Sequence, residues 1–252
     1  MTARLGQAFP RGWRDFVLQL GIWFGFLFTY QIVRGIADQD VLGAFQNGRL
    51  IIDLENRLHA LIELDLQHVV LTSGDWFVHA VNWTYWNSQF TVVGLALLWV
   101  YFRRNRSFLR LRNMLLLVNM LALVGFVLMP TAPPRFFPEW GFVDTLAGSA
   151  ALNHGSGLVQ LASNQYAAMP SIHAADALIL GFVMAGLVRS RLAKLAWTLW
   201  PSWVWFTVMA TGNHFWLDVA AGAGLAALSA SIVIGLESSR RRDTLSERAL
   251  FR

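Results

Sequence analysis

The stretch MPSIHA, at positions 169–174, organises the chain because it places a histidine at the start of a hydrophobic run. Proline is favoured at the first position of a helix, where its missing N–H is not needed. The free N–H groups of a helix start bind anions readily. We therefore predict a helix that begins at Pro170 and directs its backbone donors, the Ser171 hydroxyl and the His173 ring at one bound anion.

A second stretch, TGNHFWLD at positions 211–218, supplies another histidine. Its His-x-x-x-Asp spacing predicts that His214 and Asp218 lie on one face of a helix, within reach of each other. A carboxylate that binds one ring N–H of a histidine fixes the tautomer and leaves the other nitrogen free to act. Two histidines beside a phosphate-sized pocket indicate phosphoryl transfer through a histidine.

Both stretches resemble motifs of the type 2 phosphatidic acid phosphatase superfamily, which carries a Pro-Ser-Gly-His-like motif and then a His-x-x-x-Asp motif. Ile172 in place of the glycine, together with the Asn213-His214 pair, is most similar to the branch that includes the inositol phosphorylceramide synthases. The resemblance extends from about residue 36 to about residue 236.

The resemblance implies a role for each residue of the two motifs. His214 would be the nucleophile that becomes phosphohistidine, and Asp218 would orient it and stabilise the imidazolium. His173 would protonate the leaving oxygen and then deprotonate the acceptor. An unperturbed histidine pKa of about 6.5 suits both proton transfers. The resemblance also implies chemistry without a metal or any other cofactor.

The sequence departs from the family at the phosphate-binding positions. The arginine and serine that usually precede the second histidine are Val208 and Thr207 here, and PTAPPR at 130–135 replaces the usual Lys and Arg-Pro motif. A guanidinium clamps phosphate oxygens and stabilises charge in a transition state. We therefore expect the phosphate to be bound by the nearest available donors, which are Arg135, Ser171, Asn213 and the Ile172 N–H.

Several residues have two interpretations. Arg135 could instead be a snorkelling side chain at the membrane interface. Asp176, one turn after His173, could orient that histidine or make a polar contact within the bundle. Zinc binding by two histidines and two aspartates is a competing chemical interpretation. Three polar residues of the loop that precedes the first motif are weaker headgroup-binding candidates, namely His154, Asn164 and Gln165.

Composition indicates a membrane protein. The chain has 252 residues, of which 56% are hydrophobic and 14% are charged, whereas soluble domains have about 25% charged residues. We therefore interpret residues 1–252 as a single polytopic membrane domain. Cysteine is absent, which excludes a disulfide framework and a thiolate metal site.

About 20 apolar residues span a bilayer as a helix. The sequence contains six candidate spans, at 16–34, 77–101, 113–130, 172–188, 195–211 and 217–236. The predicted fold is an all-α membrane protein. It has a bundle of six transmembrane helices, an external amphipathic helix and an active site at the external membrane face.

The distribution of Lys and Arg predicts the orientation. Sixteen of the 20 basic residues lie on one side of the six-span arrangement, and the positive-inside rule makes that side cytoplasmic. Residues 1–15 and the basic tail 237–252 are then cytoplasmic, and 36–75 and the active-site loop 131–171 are external. This asymmetry argues against a nucleic-acid partner despite the net charge of +5. We expect a bacterial plasma-membrane location, with membrane lipids as neighbours.

The external segment 36–75 carries leucines at helical spacing with acidic residues between them. This pattern is typical of an amphipathic helix on a membrane surface. Such a helix could brace the structure or form a rim over the route by which a lipid reaches the site. The loop 131–168 is long for a connection without structure, so we expect it to fold over the active site.

The resemblance implies an enzyme that acts on a phospholipid or a polyprenyl or other lipid phosphate. With water as the acceptor the protein would be a lipid phosphatase. With a lipid or sugar hydroxyl it would be an inositolphosphotransferase-like phosphotransferase. The alternative from a different class is a non-enzymatic transporter in which intramembrane histidine and aspartate relay protons.

Overall fold

The structure, a computed structural model, describes residues 9–37, 40–147 and 165–250. Within these ranges the chain forms nine α-helices, two single turns of 3-10 helix at Pro134–Phe136 and Pro138–Trp140, and no strand. The helices are α1 Trp13–Ala37, α2 Val41–Arg57, α3 Glu63–Thr72, α4 Asp75–Gln89, α5 Thr91–Arg103, α6 Asn105–Leu128, α7 Ile172–Leu187, α8 Arg191–Ala210 and α9 Trp216–Leu250.

Helix α7 lies at the centre of the bundle. It packs against α8, α9, α6, α4 and α5, and most of its side chains are buried. An α-helix that is apolar on all sides is expected in such a position. The main hydrophobic core joins α7 to α5, α6 and α9. The predicted all-α class is confirmed for the described residues.

The span predicted at 77–101 is divided into two helices. Helix α4 ends at Gln89 and α5 begins at Thr91, with Phe90 between them. The Ser88 hydroxyl donates to the Tyr85 carbonyl at 3.1 Å, and the Thr91 hydroxyl donates to Asn87 Oδ1 at 2.8 Å. The Ser88 hydroxyl competes with the helical backbone for the Tyr85 carbonyl. The segment forms two helices, so one continuous helix was the wrong prediction here.

The predicted amphipathic segment also forms two helices, α2 and α3. Leu50, Leu54 and Leu58 point outward, with 61%, 48% and 57% of their surface exposed. The face that packs inward consists of other residues, namely Ala44, Gly48, Ile51, Ile52 and Glu55. These three leucines therefore lie outside the protein core, as contact with a lipid surface would require, whereas Leu61 and Leu64 pack against the core.

Helices α2 and α3 hold the loop 131–147 in place. The Ala132 N–H donates to the Ala44 carbonyl at 2.9 Å, and Asn47 Nδ2 donates to the Pro130 carbonyl at 2.8 Å. On α3, Gln67 Nε2 donates to the Val143 carbonyl at 2.8 Å, and its Oε1 accepts from the Val143 N–H at the same distance. These contacts support the brace interpretation of the segment.

In the part of the chain that the structure describes, two helices are long and apolar enough to cross a membrane, Asn105–Leu128 and Trp216–Arg240. The same part contains two shorter apolar helices, Thr91–Arg103 and Ile172–Leu187. The arrangement of six spans and its orientation stay predictions.

Cysteine labelling tests the predicted orientation directly, because the chain has no cysteine of its own. Glu139→Cys and Ser239→Cys each replace an exposed residue. Since charge asymmetry assigns these two positions to opposite membrane faces, an impermeant maleimide added to intact cells should label position 139 only. Labelling at both positions would contradict the six-span arrangement, and lysed cells provide the control for accessibility.

Candidate functional site

The two histidine stretches meet at a cavity of about 50 Å³. The cavity brings together five of the predicted site residues, Arg135, Ile172, His173, Asn213 and His214. Ser171, Asp176 and Asp218 lie outside its lining. Its other lining residues are Tyr30, Tyr85, Gln89, Phe126, Pro133, Gln165, Ala167 and Ala168.

The start of α7 differs from the prediction. The helix begins at Ile172 rather than Pro170, and Ser171 is its N-cap. The Ser171 side chain is fully buried, and its Oγ accepts a hydrogen bond from the Ala174 N–H at 3.3 Å. An N-cap serine satisfies backbone donors that the helix leaves free. The Ser171 oxygen therefore caps the helix, while its hydroxyl hydrogen is still able to donate, so the predicted phosphate-binding role of Ser171 stays a prediction.

A backbone hydrogen bond connects the N-terminal ends of helices α7 and α9. The Ser171 N–H donates to the Asp218 carbonyl at 2.9 Å. Gly222, one turn further along α9, has no space for a side chain, since a Cβ there would lie 2.2 Å from the Ser171 carbonyl oxygen. The segments that carry His173 and His214 are therefore fixed to each other.

His214 precedes α9, which begins at Trp216, so the prediction that His214 and Asp218 share a helical face was wrong. The turn that presents His214 contains Gly212 at φ +70°, a conformation that favours glycine. The side chain is buried, and its Nδ1 lies 2.8 Å from the Ala168 carbonyl oxygen. A carbonyl oxygen only accepts, so Nδ1 carries the hydrogen and Nε2 is the nitrogen left to react.

The environment of His214 favours the neutral ring. Burial lowers the pKa of His214 to about 3, and the positive charge of Arg135 acts in the same direction, whereas the hydrogen bond to the Ala168 carbonyl opposes them. A neutral imidazole retains the lone pair that a nucleophile needs. The His214 ring is therefore neutral near pH 7.

Asp218 is near His214 but is not its closest partner. Its Oδ2 lies 3.5 Å from His214 Nδ1, and the same oxygen accepts from the Phe215 N–H at 2.8 Å. The Ala168 carbonyl, at 2.8 Å, is the closer acceptor for Nδ1, so our prediction that Asp218 fixes the tautomer needs correction. What Asp218 adds is a carboxyl group beside a ring that would become positively charged on phosphorylation.

His173 faces His214 across the cavity. The ring centroids of the two histidines are 5.7 Å apart, with an angle of 59° between the planes. On its other side the His173 ring is stacked on Tyr85, at 4.6 Å and 21°. Asp176 Oδ1 accepts a hydrogen bond from Asn119 Nδ2 at 3.0 Å, which corresponds to the contact within the bundle that we considered for Asp176.

Arg135 is held on several sides. Its backbone N–H donates to the Gly212 carbonyl at 2.9 Å. In the side chain, Nη1 donates to Asn213 Oδ1, and Nε lies 3.8 Å from Asp144 Oδ2. The guanidinium also lies over the Phe136 ring, 4.9 Å from the centroid. Among the described residues that line the cavity, Arg135 alone carries a permanent positive charge.

Sequence reasoning missed several residues of the site. Ala168 contributes a backbone carbonyl, which no pattern of side chains reveals. Tyr85 and Gln89 lie in a predicted span that is unusually rich in polar residues, and polar residues in a span indicate function. Gln165 does line the cavity, whereas His154 and Asn164 lie outside the described residues.

The zinc interpretation requires a group of ligands. Within residues 9–37, 40–147 and 165–250, no three His, Cys, Asp or Glu side chains are grouped as a metal site would need. Whether activity depends on a metal is left to experiment.

A family model described as the PAP2 superfamily matches residues 49–232. No curated protein and no solved structure matches the chain. The matched region contains both histidine stretches and the loop that carries Arg135.

Proposed function

The chain belongs to the PAP2 superfamily, and from this membership we propose that it is an integral membrane enzyme that removes or transfers the phosphate of a lipid through His214. Members of the superfamily are phosphatases or phosphotransferases, so a phosphatase-type function is supported at that level. The observation that carries the proposal is the bond from His214 Nδ1 to the Ala168 carbonyl, because it leaves Nε2 to attack phosphorus.

In the first half of the reaction, His214 Nε2 forms a bond to phosphorus while the bond from phosphorus to the leaving oxygen breaks. His173 gives its proton to that oxygen. Arg135 stabilises the negative charge on the phosphoryl oxygens, supplemented by the Ile172 N–H, and Asn213 holds the guanidinium in place. The Asp218 carboxylate stabilises the positive charge of the phosphorylated ring.

In the second half, His173 takes a proton from the acceptor hydroxyl, whose oxygen attacks phosphorus while the phosphorus–nitrogen bond breaks. With water as the acceptor, the product is inorganic phosphate. With a lipid or sugar hydroxyl, the product is a new phosphodiester or phosphomonoester, as the resemblance to the inositol phosphorylceramide synthases suggests. The apolar side chains of Ile172 and Phe126 on the cavity wall suit a lipid.

A lipid panel tests the proposal. Purified protein in detergent is incubated with phosphatidic acid, with a polyprenyl phosphate, and with phosphatidylinositol plus ceramide, while free phosphate and new lipids are both measured. We expect turnover of at least one donor. Release of phosphate identifies a phosphatase, and a new phospholipid identifies a transferase. No turnover of any donor would favour the transporter alternative.

Chelation separates the histidine mechanism from the zinc interpretation. Because the nucleophile is a nitrogen and the phosphate is bound by protein donors, activity should survive EDTA, and vanadate should inhibit competitively as a mimic of pentavalent phosphorus. The measurement is the initial rate with and without EDTA, followed by added zinc. Loss of activity that zinc restores would move the assignment to a metal enzyme.

A further inference from the structure

Two fully buried carboxyl groups meet at the start of α9, outside the cavity. Glu55 comes from α2 and Glu63 from the first position of α3, and both have 0% of their surface exposed. Glu63 Oε1 accepts a hydrogen bond from the Trp216 N–H, and Glu55 Oε1 accepts one from the Leu217 N–H at 3.2 Å. The mechanism described above uses neither glutamate.

The first N–H groups of a helix have no partner within the helix. Three consecutive N–H groups at the start of α9 are each satisfied by a carboxyl oxygen, since Asp218 accepts from Phe215 while the two glutamates accept from Trp216 and Leu217. Negative charge at a helix N-terminus is stabilising. The position of α9 therefore depends on acidic groups from two other helices.

The second oxygen of each glutamate, Oε2, is buried and has no hydrogen-bond partner within the described ranges. The two carboxyl groups are close enough to influence each other electrostatically, and they can share a hydrogen bond only if one of them carries a proton, because two carboxylates have no hydrogen to share. Burial, and next the charge of Glu63, raises the pKa of Glu55 to about 9. Burial also raises the pKa of Glu63.

Asp218 is the charged group of α9 that faces this pair, and its charge acts on both glutamates to raise their pKa. Among the described residues, neither glutamate forms an ion pair with a basic side chain. The pair therefore keeps one proton near neutral pH and releases it at alkaline pH, where two adjacent buried carboxylates would repel each other and Asp218.

We propose that Glu55 and Glu63 are positioning residues, a proton-sharing pair that holds the first turn of α9 and thereby keeps His214 in register with His173 and Arg135. The proposal rests on the proposed function of His214. The link is short, because Trp216 is two residues from His214, and Phe215 between them is fully buried in the hydrophobic cluster that also contains Ile51 and Ile52 of α2. A displacement of about 1 Å at a reacting group can cost about 10²-fold in rate.

Three variants test this inference. In Glu55→Gln the amide donates to Glu63 without a titrating proton, so it imitates the pair with one proton at all pH values. In Glu55→Leu the Leu217 N–H and the Glu63 carboxylate lose their partner. Glu139→Gln is the matched control, because it makes the same substitution at an exposed glutamate. Glu139 forms an ion pair with Arg49 at 3.8 Å.

The first measurement is thermal unfolding against pH, which needs no substrate. The folded protein keeps a proton on Glu55 that the unfolded chain releases above its usual pKa of 4.5, so stability should fall as pH rises from about 5 to about 9. We expect the melting temperature of the wild type and of Glu139→Gln to fall by at least about 5 °C between about pH 6 and about pH 9. Glu55→Gln should flatten this dependence.

The second measurement is the turnover of phosphatidic acid against pH. We expect Glu55→Leu to lower kcat at least about tenfold at about pH 7.5 with KM within about threefold, since α9 is displaced while the phosphate donors remain. Glu55→Gln should rescue kcat to within about threefold of the wild type. It should also retain activity above about pH 9, where the wild type and Glu139→Gln lose it.

A Glu55→Gln protein with the wild-type pH dependence of both stability and turnover would overturn the inference, and so would wild-type kcat in Glu55→Leu. If Glu55→Leu does not fold, Glu55→Gln alone decides. If the wild type turns over none of the panel lipids, the proposed function fails and the positioning role fails with it. The unfolding measurement then still shows separately whether the pair shares a proton.

Discussion

Replacing His214 with alanine is expected to abolish turnover, with a loss of about 10⁴-fold or more, and to leave no phosphoenzyme. The substitution removes the nitrogen that attacks phosphorus, and removal of a nucleophile typically costs this much or more. The measurement is the initial rate with the best lipid of the panel, together with acid-quench trapping of ³²P-labelled protein. The control is His68→Ala, which removes an exposed histidine on α3.

Asp218→Asn refines the same experiment. Because the Ala168 carbonyl is the closer acceptor for Nδ1, the tautomer should persist in this variant, and the loss should arise from the missing charge beside the phosphorylated ring. We expect a fall of about 10²-fold or more, with the ring still neutral in the resting protein. Wild-type turnover in His214→Ala would contradict the assignment of His214 as the nucleophile. Wild-type turnover in Asp218→Asn would contradict only the proposal that the Asp218 charge stabilises the phosphorylated ring.

Arg135→Ala is expected to lower kcat/KM by about 10³-fold, at the upper end of the range for one preorganised donor. The family arginine before the second histidine is Val208 here, so Arg135 has no second arginine to share the charge of the phosphoryl oxygens. Arg135→Lys should restore activity only in part, because a point charge does not reproduce the bidentate guanidinium. Steady-state kinetics with the same lipid measures both effects.

Arg57→Ala provides the matched control for Arg135, since Arg57 is an exposed arginine at the end of α2. Its turnover should equal that of the wild type. A nearly neutral effect of Arg135→Ala would mean that other groups bind the phosphate, and full rescue by lysine would contradict bidentate recognition.

The sequence predicts helices best where apolar runs are long. Helices α6, α7 and α9 overlap the spans predicted at 113–130, 172–188 and 217–236, because a long apolar run in the sequence favours a helix whether it faces the protein core or lipid. The break at Phe90 was missed, since it accompanies a local hydrogen bond from the Ser88 hydroxyl to the Tyr85 carbonyl. Propensity and hydropathy contain no information on such local competition.

The site was predictable to the extent that side-chain chemistry decides it. His173, His214 and Arg135 do line one cavity, whereas the partner of His214 is a backbone carbonyl. Glu55 and Glu63 lie among leucines in the sequence, and this pattern predicts that they belong to the solvent-exposed face of an amphipathic helix. Both are in fact buried. Helical periodicity divides a helix into two faces, but the tertiary structure decides which face is covered.

The close approach of Gly222 to Ser171 has a consequence for how this protein can evolve. A side chain at position 222 would push apart the two segments that carry His173 and His214, although it would replace none of the residues that line the cavity. We expect divergence in lipid preference to arise at the cavity rim, at positions such as Tyr30, Gln89 and Gln165, which touch the cavity but not this contact. The spacing between the two histidines would meanwhile be inherited unchanged, so new substrates would be adopted without rebuilding the reactive centre.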